Sequence, residues 1–460
     1  MEMAGIVSVR SMRYNVPMKV YLSSIGCRLN QSEIETIGRQ LLAQGHEIVT
    51  DPNQADSVVI NTCAVTGEAA RDARTQTRRI QKQNPAADIF LTGCYATVAP
   101  SELAQMQGEI HLVPNKDKQR LIQILDPSAN NEEPIFDQEP ILREFLNGHM
   151  GNTRAFVKVQ DGCDNKCTFC ITTVARGEGW SRHLGDIVTE VQALASAGYQ
   201  EVVLTGVHLG SYGKDLDSKT SLVELVRAVL HYTDIPRLRL SSLEPWDIDP
   251  DFFSLWQNQR LQPHLHLPLQ SGSDSVLRRM ARRTSRESYR NLALAARAAI
   301  PDLNLSTDII LGFPGESEVD FEQSLDYVRE LDFARIHAFT YSPRPGTAAA
   351  KMGGHIPKTI KKERTRRMIE LGKTLSLDFH IRFEGETRPV LWESALGANQ
   401  KGLRWAGYTD NYIRVQGIGP VNLFNTITQA FLFDAQADNI SGVLLQSDEE
   451  YPTPTARQGG

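Results

Sequence analysis

The first part of the chain alternates short apolar runs with amphipathic helical patterns. The stretch from Ile34 to Leu42 places apolar residues at helical spacing until Gly45 ends it, and Asn30 to Glu33 predicts a capping box before it. The apolar runs that favour strands are Val20 to Ile25, Ser57 to Ile60 and Ile89 to Thr92. This alternation of strand and helix predicts parallel βα units.

A second alternating region lies between Ala155 and Ser342. Helices are expected over Ile187 to Ala197 and Ser221 to Thr233, outside a sheet of six strands. The six apolar runs are Ala155 to Val159, Val202 to Thr205, Leu238 to Ser241, His264 to Leu269, Leu303 to Leu311 and Arg335 to Tyr341. Because a complete parallel barrel has eight βα units, six favour an open, partial (β/α)6 barrel.

The last part of the chain changes character. A helical pattern that starts after Pro357 runs to about His380, and glycine-rich sequence with strand-like runs follows. Those runs are Arg388 to Trp392, Tyr412 to Val415 and Ile427 to Phe433. They predict a small all-β domain.

These changes of pattern divide the chain into six segments. The segment before the second region lacks periodicity and is rich in proline and glycine, so we interpret it as a linker. The predicted segments are an amino-terminal extension (1–17), an α/β domain (18–127), the linker (128–150), the partial barrel (151–380), the all-β domain (381–446) and a tail (447–460).

Composition narrows the class of protein. A chain of 460 residues with 41% hydrophobic content is a large globular protein, and six cysteines would form disulfides only after export. The sequence shows neither an export signal nor a run of roughly 18 apolar residues that could cross a bilayer, so we expect a cytoplasmic protein with reduced or metal-bound thiols and no membrane partner. The net charge of -6 argues against coating nucleic acid by overall positive charge but leaves local basic surfaces open.

Three of the cysteines, Cys163, Cys167 and Cys170, directly follow the first strand of the predicted barrel. A structural zinc site needs four ligands, and the nearby His183 does not stand at finger spacing. A four-iron cluster on three thiolates leaves one iron open for another ligand, as a reactive cluster requires. The spacing resembles that of the radical S-adenosylmethionine superfamily, with buried or zinc-binding cysteines as the alternative.

The other three cysteines are far apart in sequence but share a context. Cys27, Cys63 and Cys94 each follow an apolar strand. Because the carboxyl ends of neighbouring parallel strands lie together, the three thiols are expected to meet and could bind a second cluster. Three unrelated core cysteines are the alternative.

From Met18 to about Leu445 the chain resembles the methylthiotransferase family. The resemblance departs after Cys170, where many relatives carry a proline ahead of the position of Arg176. The matching segments are Gly26 to Asn30, Asn61 to Cys63, Gly93 to Cys94, Gly162 to Cys170, Leu204 to Gly206, Ser241 to Pro245, His266 to Gly272, Gly312 to Glu316 and, resembling a TRAM module, Gly407 to Tyr412.

The resemblance implies a flavodoxin-like domain, a radical barrel and a TRAM domain that helps to bind RNA. Cys163, Cys167 and Cys170 would hold the 4Fe–4S cluster that cleaves S-adenosylmethionine, while the other triad would hold an auxiliary 4Fe–4S cluster that takes part in sulfur delivery. Family members need such radical chemistry because an aromatic C–H bond is not acidic. Candidate contacts to S-adenosylmethionine are Gly206, Ser242, Glu244 and Gly312, although the glycines are equally typical of tight turns.

Relatives modify threonylcarbamoyladenosine or isopentenyladenosine in transfer RNA, or an aspartate of a ribosomal protein. The segment Gly26 to Glu33 resembles the threonylcarbamoyladenosine branch, and Arg28 could pair with the carboxylate of that substrate or be an ordinary surface residue. We expect the anticodon stem-loop of transfer RNA as partner, an electron donor of flavodoxin or ferredoxin type, a sulfur source and a monomeric protein.

Three basic clusters could follow an RNA backbone: Arg71 to Lys82, Arg278 to Arg286 and Lys358 to Arg367. Solvated helix faces are the alternative. Tyr408 and Tyr412 could stack on bases or pack in a β core. A non-catalytic iron–sulfur carrier or RNA-binding module is a further alternative, which S-adenosylmethionine cleavage would exclude.

Overall fold

A computed structural model of the chain describes residues 17–127, 129, 153–217, 220–399, 402–419 and 422–445. The predicted extension (1–17) and linker (128–150) lie almost wholly outside the described residues, and the predicted tail (447–460) lies wholly outside them. The chain forms two compact units, Met1–Leu142 and Arg143–Gly460. Among the described residues, no helix combines the length and the apolar character that crossing a bilayer requires.

Unit 1 contains a five-stranded parallel sheet in the order β2-β1-β3-β4-β5, which is the flavodoxin-like order. The three strands that the sequence predicted are present, whereas the short strands β2 and β5 were missed. The elements are β1 (Lys19–Ser24), α1 (Arg28–Ala43), β2 (Glu47–Val49), β3 (Ser57–Thr62), α2 (Gly67–Gln83), β4 (Asp88–Gly93), α3 (Cys94–Val98), α4 (Pro100–Leu103), β5 (Ile110–Val113) and α5 (Leu121–Leu125).

The predicted capping box at the start of α1 was wrong. The helix begins at Arg28, with Cys27 as its N-cap and no side-chain cap. Asn30 donates instead to the Ile25 carbonyl (2.9 Å), and Glu33 faces the buried ammonium of Lys118. A long-range ion pair therefore takes the carboxylate that local sequence assigned to the helix end.

The first part of unit 2 has six parallel strands in two three-stranded sheets, β10-β9-β6 and β11-β12-β13. A parallel bridge joins Leu238 to Leu261, three residues before the first strand of the second sheet, and the prediction of an open, six-stranded partial barrel is confirmed. The elements are β6 (Arg154–Lys158), β7 (Gln160–Asp161), α6 (Thr172–Arg176), β8 (Trp180–Ser181), α7 (Leu184–Ser196), β9 (Glu201–Thr205), α8 (Leu222–Tyr232), β10 (Arg237–Leu240), β11 (His264–His266), α9 (Asp274–Arg279), α10 (Arg286–Ala299), β12 (Asn304–Leu311), α11 (Glu318–Glu330), β13 (Arg335–Thr340) and α12 (Lys358–Ile381).

The last part of unit 2 is a closed five-stranded barrel, as expected for a small all-β domain. Its core contains Trp392 and Trp405, and Phe379 from the end of α12 packs against them. Two strands, β15 and β18, were missed, and Tyr412 lies in a turn with φ 68° rather than in a strand. The strands are β14 (Thr387–Asn399), β15 (Gly402–Thr409), β16 (Arg414–Gly419), β17 (Ile427–Ala435) and β18 (Ile440–Leu444).

Two arginines of β10, of which Arg237 is the first residue of the strand, contact this small barrel. Arg239 is fully buried, contacts Glu201 at 2.8 Å and donates to the Thr409 carbonyl at 3.0 Å. Arg237 donates to the carbonyls of Tyr408 (3.1 Å) and Pro389 (2.8 Å). The small barrel thus covers the end of the strands opposite to the cysteine loop.

Tyr408 and Tyr412 belong to this contact. Their rings stack on each other with centroids 4.9 Å apart, and the Arg154 guanidinium lies 4.7 Å from the Tyr408 ring centroid. The Arg239 guanidinium lies 4.5 Å from the Tyr412 centroid. The half-buried rings thus lie against arginines of the partial barrel and outside the core cluster of the small barrel, and base stacking by them stays a prediction.

Candidate metal centres

Cys27, Cys63 and Cys94, here called the auxiliary triad, follow β1, β3 and β4, which are neighbours in the sheet. A Cβ atom on Gly26 would lie 2.3 Å from Cys63 Cβ, so the loop that carries Cys27 touches the loop that carries Cys63. Gly93, just before Cys94, has φ 95°, a conformation that favours glycine. The sheet therefore brings the triad to one edge, as predicted from its position after the strands.

Neighbouring N–H groups contact two sulfurs of the auxiliary triad. The Val65 amide donates to Cys63 Sγ at 3.4 Å, and the Asn115 side-chain amide donates to Cys94 Sγ at 3.7 Å. Hydrogen bonds of this kind stabilise thiolates relative to thiols. The donor set of three cysteines, two of which have N–H partners, fits an anionic iron–sulfur cluster.

A buried polar network lies next to the auxiliary triad. Lys118 Nζ contacts Glu33 Oε2 at 2.6 Å and Asn61 Oδ1 at 3.3 Å, and both charged side chains are almost completely buried. Asn61, two residues before Cys63, also donates to Glu33 and to the Asn30 carbonyl. The network connects α1, β3 and the segment after β5, and so fixes the loops that carry two of the cysteines.

Cys163, Cys167 and Cys170, here called the radical triad, lie in a loop after β7. Gly162 has φ 68°, and a Cβ atom there would lie 1.8 Å from the Glu178 carbonyl oxygen, so the loop begins with a close backbone approach that only glycine permits. Burial raises the pKa of the Cys167 thiol to about 11 and also raises the pKa of the Cys170 thiol, to which the charge of Cys163 adds. Metal binding here must therefore displace protons from at least two thiols.

Arg282 is the principal charged neighbour of the radical triad. Its Nη1 donates to Cys167 Sγ at 3.8 Å, while the guanidinium binds both carboxylate oxygens of Glu244, at 3.1 and 2.6 Å. The side chain is buried and also donates to the Pro268 carbonyl. This bidentate pair holds a positive charge against a cluster ligand.

His208 plays the equivalent part beside Cys163. Its Nε2 lies 2.5 Å from Asp247 Oδ2. Burial alone would lower the pKa of His208, but the hydrogen bonds to Asp247 and Cys163 outweigh burial and raise the pKa to about 9. The imidazole is thus cationic near neutral pH, and each thiol of the radical triad has an N–H neighbour, since the Thr172 amide donates to Cys170 at 3.4 Å.

The four residues predicted to contact S-adenosylmethionine all follow carboxyl ends of barrel strands. Gly206 follows β9, Ser242 and Glu244 follow β10, and Gly312 follows β12. Gly312 has φ 73° and its amide donates to Glu316, so a turn accounts for this glycine. Contacts of these residues with the cofactor stay predictions.

A cluster of polar side chains on three adjacent strands was not predicted from the sequence. His266 Nε2 lies 3.3 Å from Asp308 Oδ1, and ligand atoms of His266, Asp308 and His337 all lie within 4.8 Å of one another. His266 Nδ1 also contacts the Ser306 hydroxyl at 2.9 Å. In the sequence, this group could have been found only from the polar residues that interrupt three otherwise apolar strands.

Two family models match the chain. Residues 19–114 match "Uncharacterized protein family UPF0004", and residues 157–328 match the "Radical SAM superfamily". The matched ranges contain the auxiliary triad and the radical triad, respectively.

Curated relatives cover most of the chain. Threonylcarbamoyladenosine tRNA methylthiotransferase MtaB of Bacillus subtilis is 33% identical over 90% of this chain and 94% of the relative, and that of Thermotoga maritima is 36% identical over 87% and 91%. The tRNA-2-methylthio-N(6)-dimethylallyladenosine synthase of Anoxybacillus flavithermus is 33% identical over 94% and 84%. A solved radical S-adenosylmethionine methyltransferase, TsrM from Kitasatospora setae, is 15% identical with a TM-score of 0.53, covers 72% of this chain and 75% of its own, and shares the fold.

Proposed function

The chain belongs to the radical S-adenosylmethionine methylthiotransferases, and from this premise we propose that it converts N6-L-threonylcarbamoyladenosine, next to the anticodon of transfer RNA, to its 2-methylthio derivative. The observation that carries the proposal is the pair of cysteine triads, each placed at carboxyl ends of parallel strands and contacted by N–H donors. The two triads divide the chemistry between two 4Fe–4S clusters.

When bound, a cluster on the radical triad supplies the electron that cleaves S-adenosylmethionine, and a cluster on the auxiliary triad takes part in sulfur delivery. The protein's own groups hold the thiolates. Arg282 and His208 place positive charge beside Cys167 and Cys163, which offsets the negative charge that the thiolates bring into a partly buried loop. Glu244 and Asp247 orient these two cations.

The triads can be tested separately by alanine variants. After anaerobic reconstitution, the wild-type protein is expected to contain two 4Fe–4S clusters. The triple alanine variant of the auxiliary triad should keep one cluster and cleave S-adenosylmethionine under reduction without modifying RNA. The triple alanine variant of the radical triad should keep the other cluster and cleave nothing. If the first variant still methylthiolated RNA, the assignment of the auxiliary triad would be wrong.

Two kinds of relatives bear on the choice of substrate within the family, the threonylcarbamoyladenosine enzymes and the dimethylallyladenosine synthases. The threonylcarbamoyladenosine enzymes include a relative at 36% identity, whereas the synthase of Anoxybacillus flavithermus is 33% identical. We propose that Arg28, the first residue of α1 and the neighbour of Cys27, pairs with the carboxylate of the threonylcarbamoyl group. An Arg28→Ala variant should raise KM for RNA bearing this base by about tenfold, since one charge-assisted hydrogen bond contributes roughly 1.5 kcal/mol. Unchanged kinetics would show that Arg28 does not make this contact. If the wild-type protein modified only RNA that bears isopentenyladenosine, the proposed substrate would be wrong.

The reaction also requires components that the chain does not supply. We propose an electron donor of flavodoxin or ferredoxin type, because S-adenosylmethionine cleavage needs a low-potential electron. A separate sulfur source, action as a monomer and a cytoplasmic location, where transfer RNA is modified, complete the proposal. Size-exclusion chromatography with light scattering tests the monomer.

A further inference from the structure

Two of the three basic clusters of the sequence are partly occupied by contacts within unit 2. The three arginines of the Lys358 to Arg367 cluster on α12 pair with carboxylates, and four of the five arginines of the Arg278 to Arg286 cluster pair with carboxylates or lie on aromatic rings. The contacts are Arg364 with Glu316, Arg366 with Glu363 and Glu370, Arg367 with Glu322, Arg282 with Glu244, Arg279 with Asp320, and Arg286 over Tyr327. Among the described residues of these two clusters, Arg278, Lys358 and Lys362 are exposed and have no carboxylate partner, so part of their charge remains uncompensated.

The third cluster, on α2, lies in the same unit as the auxiliary triad, and its Arg74 pairs with Glu102 at 2.7 Å. Arg78, Arg79 and Lys82 are exposed, and among the described residues none of them pairs with a carboxylate. Arg71 pairs with Glu68 at 3.8 Å, but both side chains are exposed, and such surface pairs contribute little to stability. The outer face of α2 thus carries uncompensated positive charge on a protein whose net charge is -6.

The spacing of these cations forms a stripe. At 3.6 residues per turn, Arg71, Arg78 and Lys82 lie on one side of the helix, while Ala73 and Ile80 on the other side are fully buried. A rise of about 1.5 Å per residue separates Arg71 from Lys82 by about 16 Å along the axis. A stripe of this length fits a ligand with an extended row of negative charges better than one small anion.

The stripe begins at the end of α2 that lies beside the auxiliary triad and runs away from the triad along the helix. Helix α2 begins at Gly67, four residues after Cys63, and the Gln76 side chain donates to the Ser23 hydroxyl of β1 at 2.8 Å. RNA that presents a base to the auxiliary triad must pass its backbone over neighbouring surface. The stripe is such a surface, and its charge is opposite to that of phosphate.

We propose that the α2 stripe, formed by Arg71, Arg78 and Lys82, binds the phosphodiester backbone of the transfer RNA substrate. The inference rests on the proposed function and adds the surface by which unit 1 positions the RNA. Binding through phosphates predicts contacts that do not depend on base sequence and that weaken as salt displaces the protein from the phosphates.

The test compares two double charge reversals in the reconstituted full-length protein. Arg78→Glu with Lys82→Glu alters the stripe. The matched control, Arg227→Glu with Arg329→Glu, makes the same change of net charge at exposed positions on α8 and α11. Iron content and circular dichroism establish that each variant is folded.

The affinity for transfer RNA is measured at several salt concentrations by fluorescence anisotropy. The stripe variant is expected to lose at least tenfold in affinity. The slope of its log affinity against log salt concentration should decrease by the amount that about two phosphate contacts contribute, whereas the control keeps the wild-type slope. Equal affinities and slopes in the two variants would overturn the proposal and leave α2 an ordinary solvated helix. If the wild-type protein neither bound nor modified transfer RNA, the proposed function itself would fail.

Discussion

The buried pair of Lys118 and Glu33 provides a quantitative test of how unit 1 holds the auxiliary triad. The two side chains are 4% and 2% exposed, and their charged atoms lie 2.6 Å apart. We predict that Lys118→Met destabilises unit 1 by about 3–5 kcal/mol, because it leaves the Glu33 carboxylate buried without its ammonium partner.

The magnitude follows from the geometry. At 2.6 Å and an effective dielectric constant of about 20, the attraction of the two charges is about 6 kcal/mol. Desolvation of the ions offsets much of this gain, so the intact pair is close to neutral in free energy. Loss of one charge removes the attraction but keeps the desolvation cost of the other. Against a total stability of about 5–15 kcal/mol for a domain, the loss is large.

Tryptophan positions allow the two units to be followed separately. Unit 1 contains none within its described residues, and the tryptophans are Trp180, Trp246, Trp256, Trp392 and Trp405. Hydrogen exchange of the amides in α1 and β3 reports on unit 1, and their protection should fall by roughly 10²-fold or more. Tryptophan fluorescence during urea unfolding should show unit 2 unchanged, and iron content should fall from two clusters towards one.

Two further variants show whether the pair causes the effect. Lys116→Met removes an exposed lysine two residues away and is expected to change stability by less than about 0.5 kcal/mol. The double variant Glu33→Gln with Lys118→Met should be more stable than the sum of the single losses predicts. If Lys118→Met behaved like Lys116→Met, the pair would not support the triad and the reasoning would be refuted.

Three other changes test the remaining parts of the account. Arg282→Lys should shift the reduction potential of the radical cluster to a more negative value in a titration followed by electron paramagnetic resonance, because a hydrogen bond to Cys167 favours the reduced cluster; an unchanged midpoint would contradict this. Glu201→Gln should destabilise unit 2 by about 3 kcal/mol at neutral pH. Burial acts to raise the pKa of Glu201, but Arg239 and its neighbours lower it below the ordinary value. The stabilisation is therefore present above about pH 4.3 and is lost as pH falls through the folded-state pKa. A difference in stability between the wild-type protein and the variant that persisted in strong acid would contradict this. Gly93→Ala should lower the iron content of the auxiliary triad, since φ 95° is strained for alanine, and full loading would show that the loop adapts.

The sequence predicted those features that depend on long apolar runs and on cysteine spacing. The strands of the flavodoxin-like sheet and the partial barrel were found because buried parallel strands are continuously apolar. The missed strands β2 and β5 have three and four residues, too few to show a period. Both triads followed from cysteines placed after strands.

Contacts between distant residues could not be predicted. The carboxylate of Glu33 pairs with a lysine 85 positions away rather than with its own helix end. The hydrogen bond from Arg239 to the Thr409 carbonyl, 170 positions away, and the contact of His266 with Asp308 likewise depend on strand packing that no local pattern encodes. The pairing of the α12 arginines, which distinguishes them from the α2 stripe, is visible only once α12 is packed against its neighbours.

Methylthiolation of threonylcarbamoyladenosine is tested most directly by mass spectrometry of nucleosides from transfer RNA that carries this base. The anaerobically reconstituted protein is incubated with this RNA, reductant, a sulfide source and S-adenosylmethionine. The expected products are the 2-methylthio derivative of threonylcarbamoyladenosine and 5′-deoxyadenosine. Cleavage of S-adenosylmethionine by a protein with both clusters, with the RNA left unmodified, would contradict the claim and redirect the search to a protein substrate.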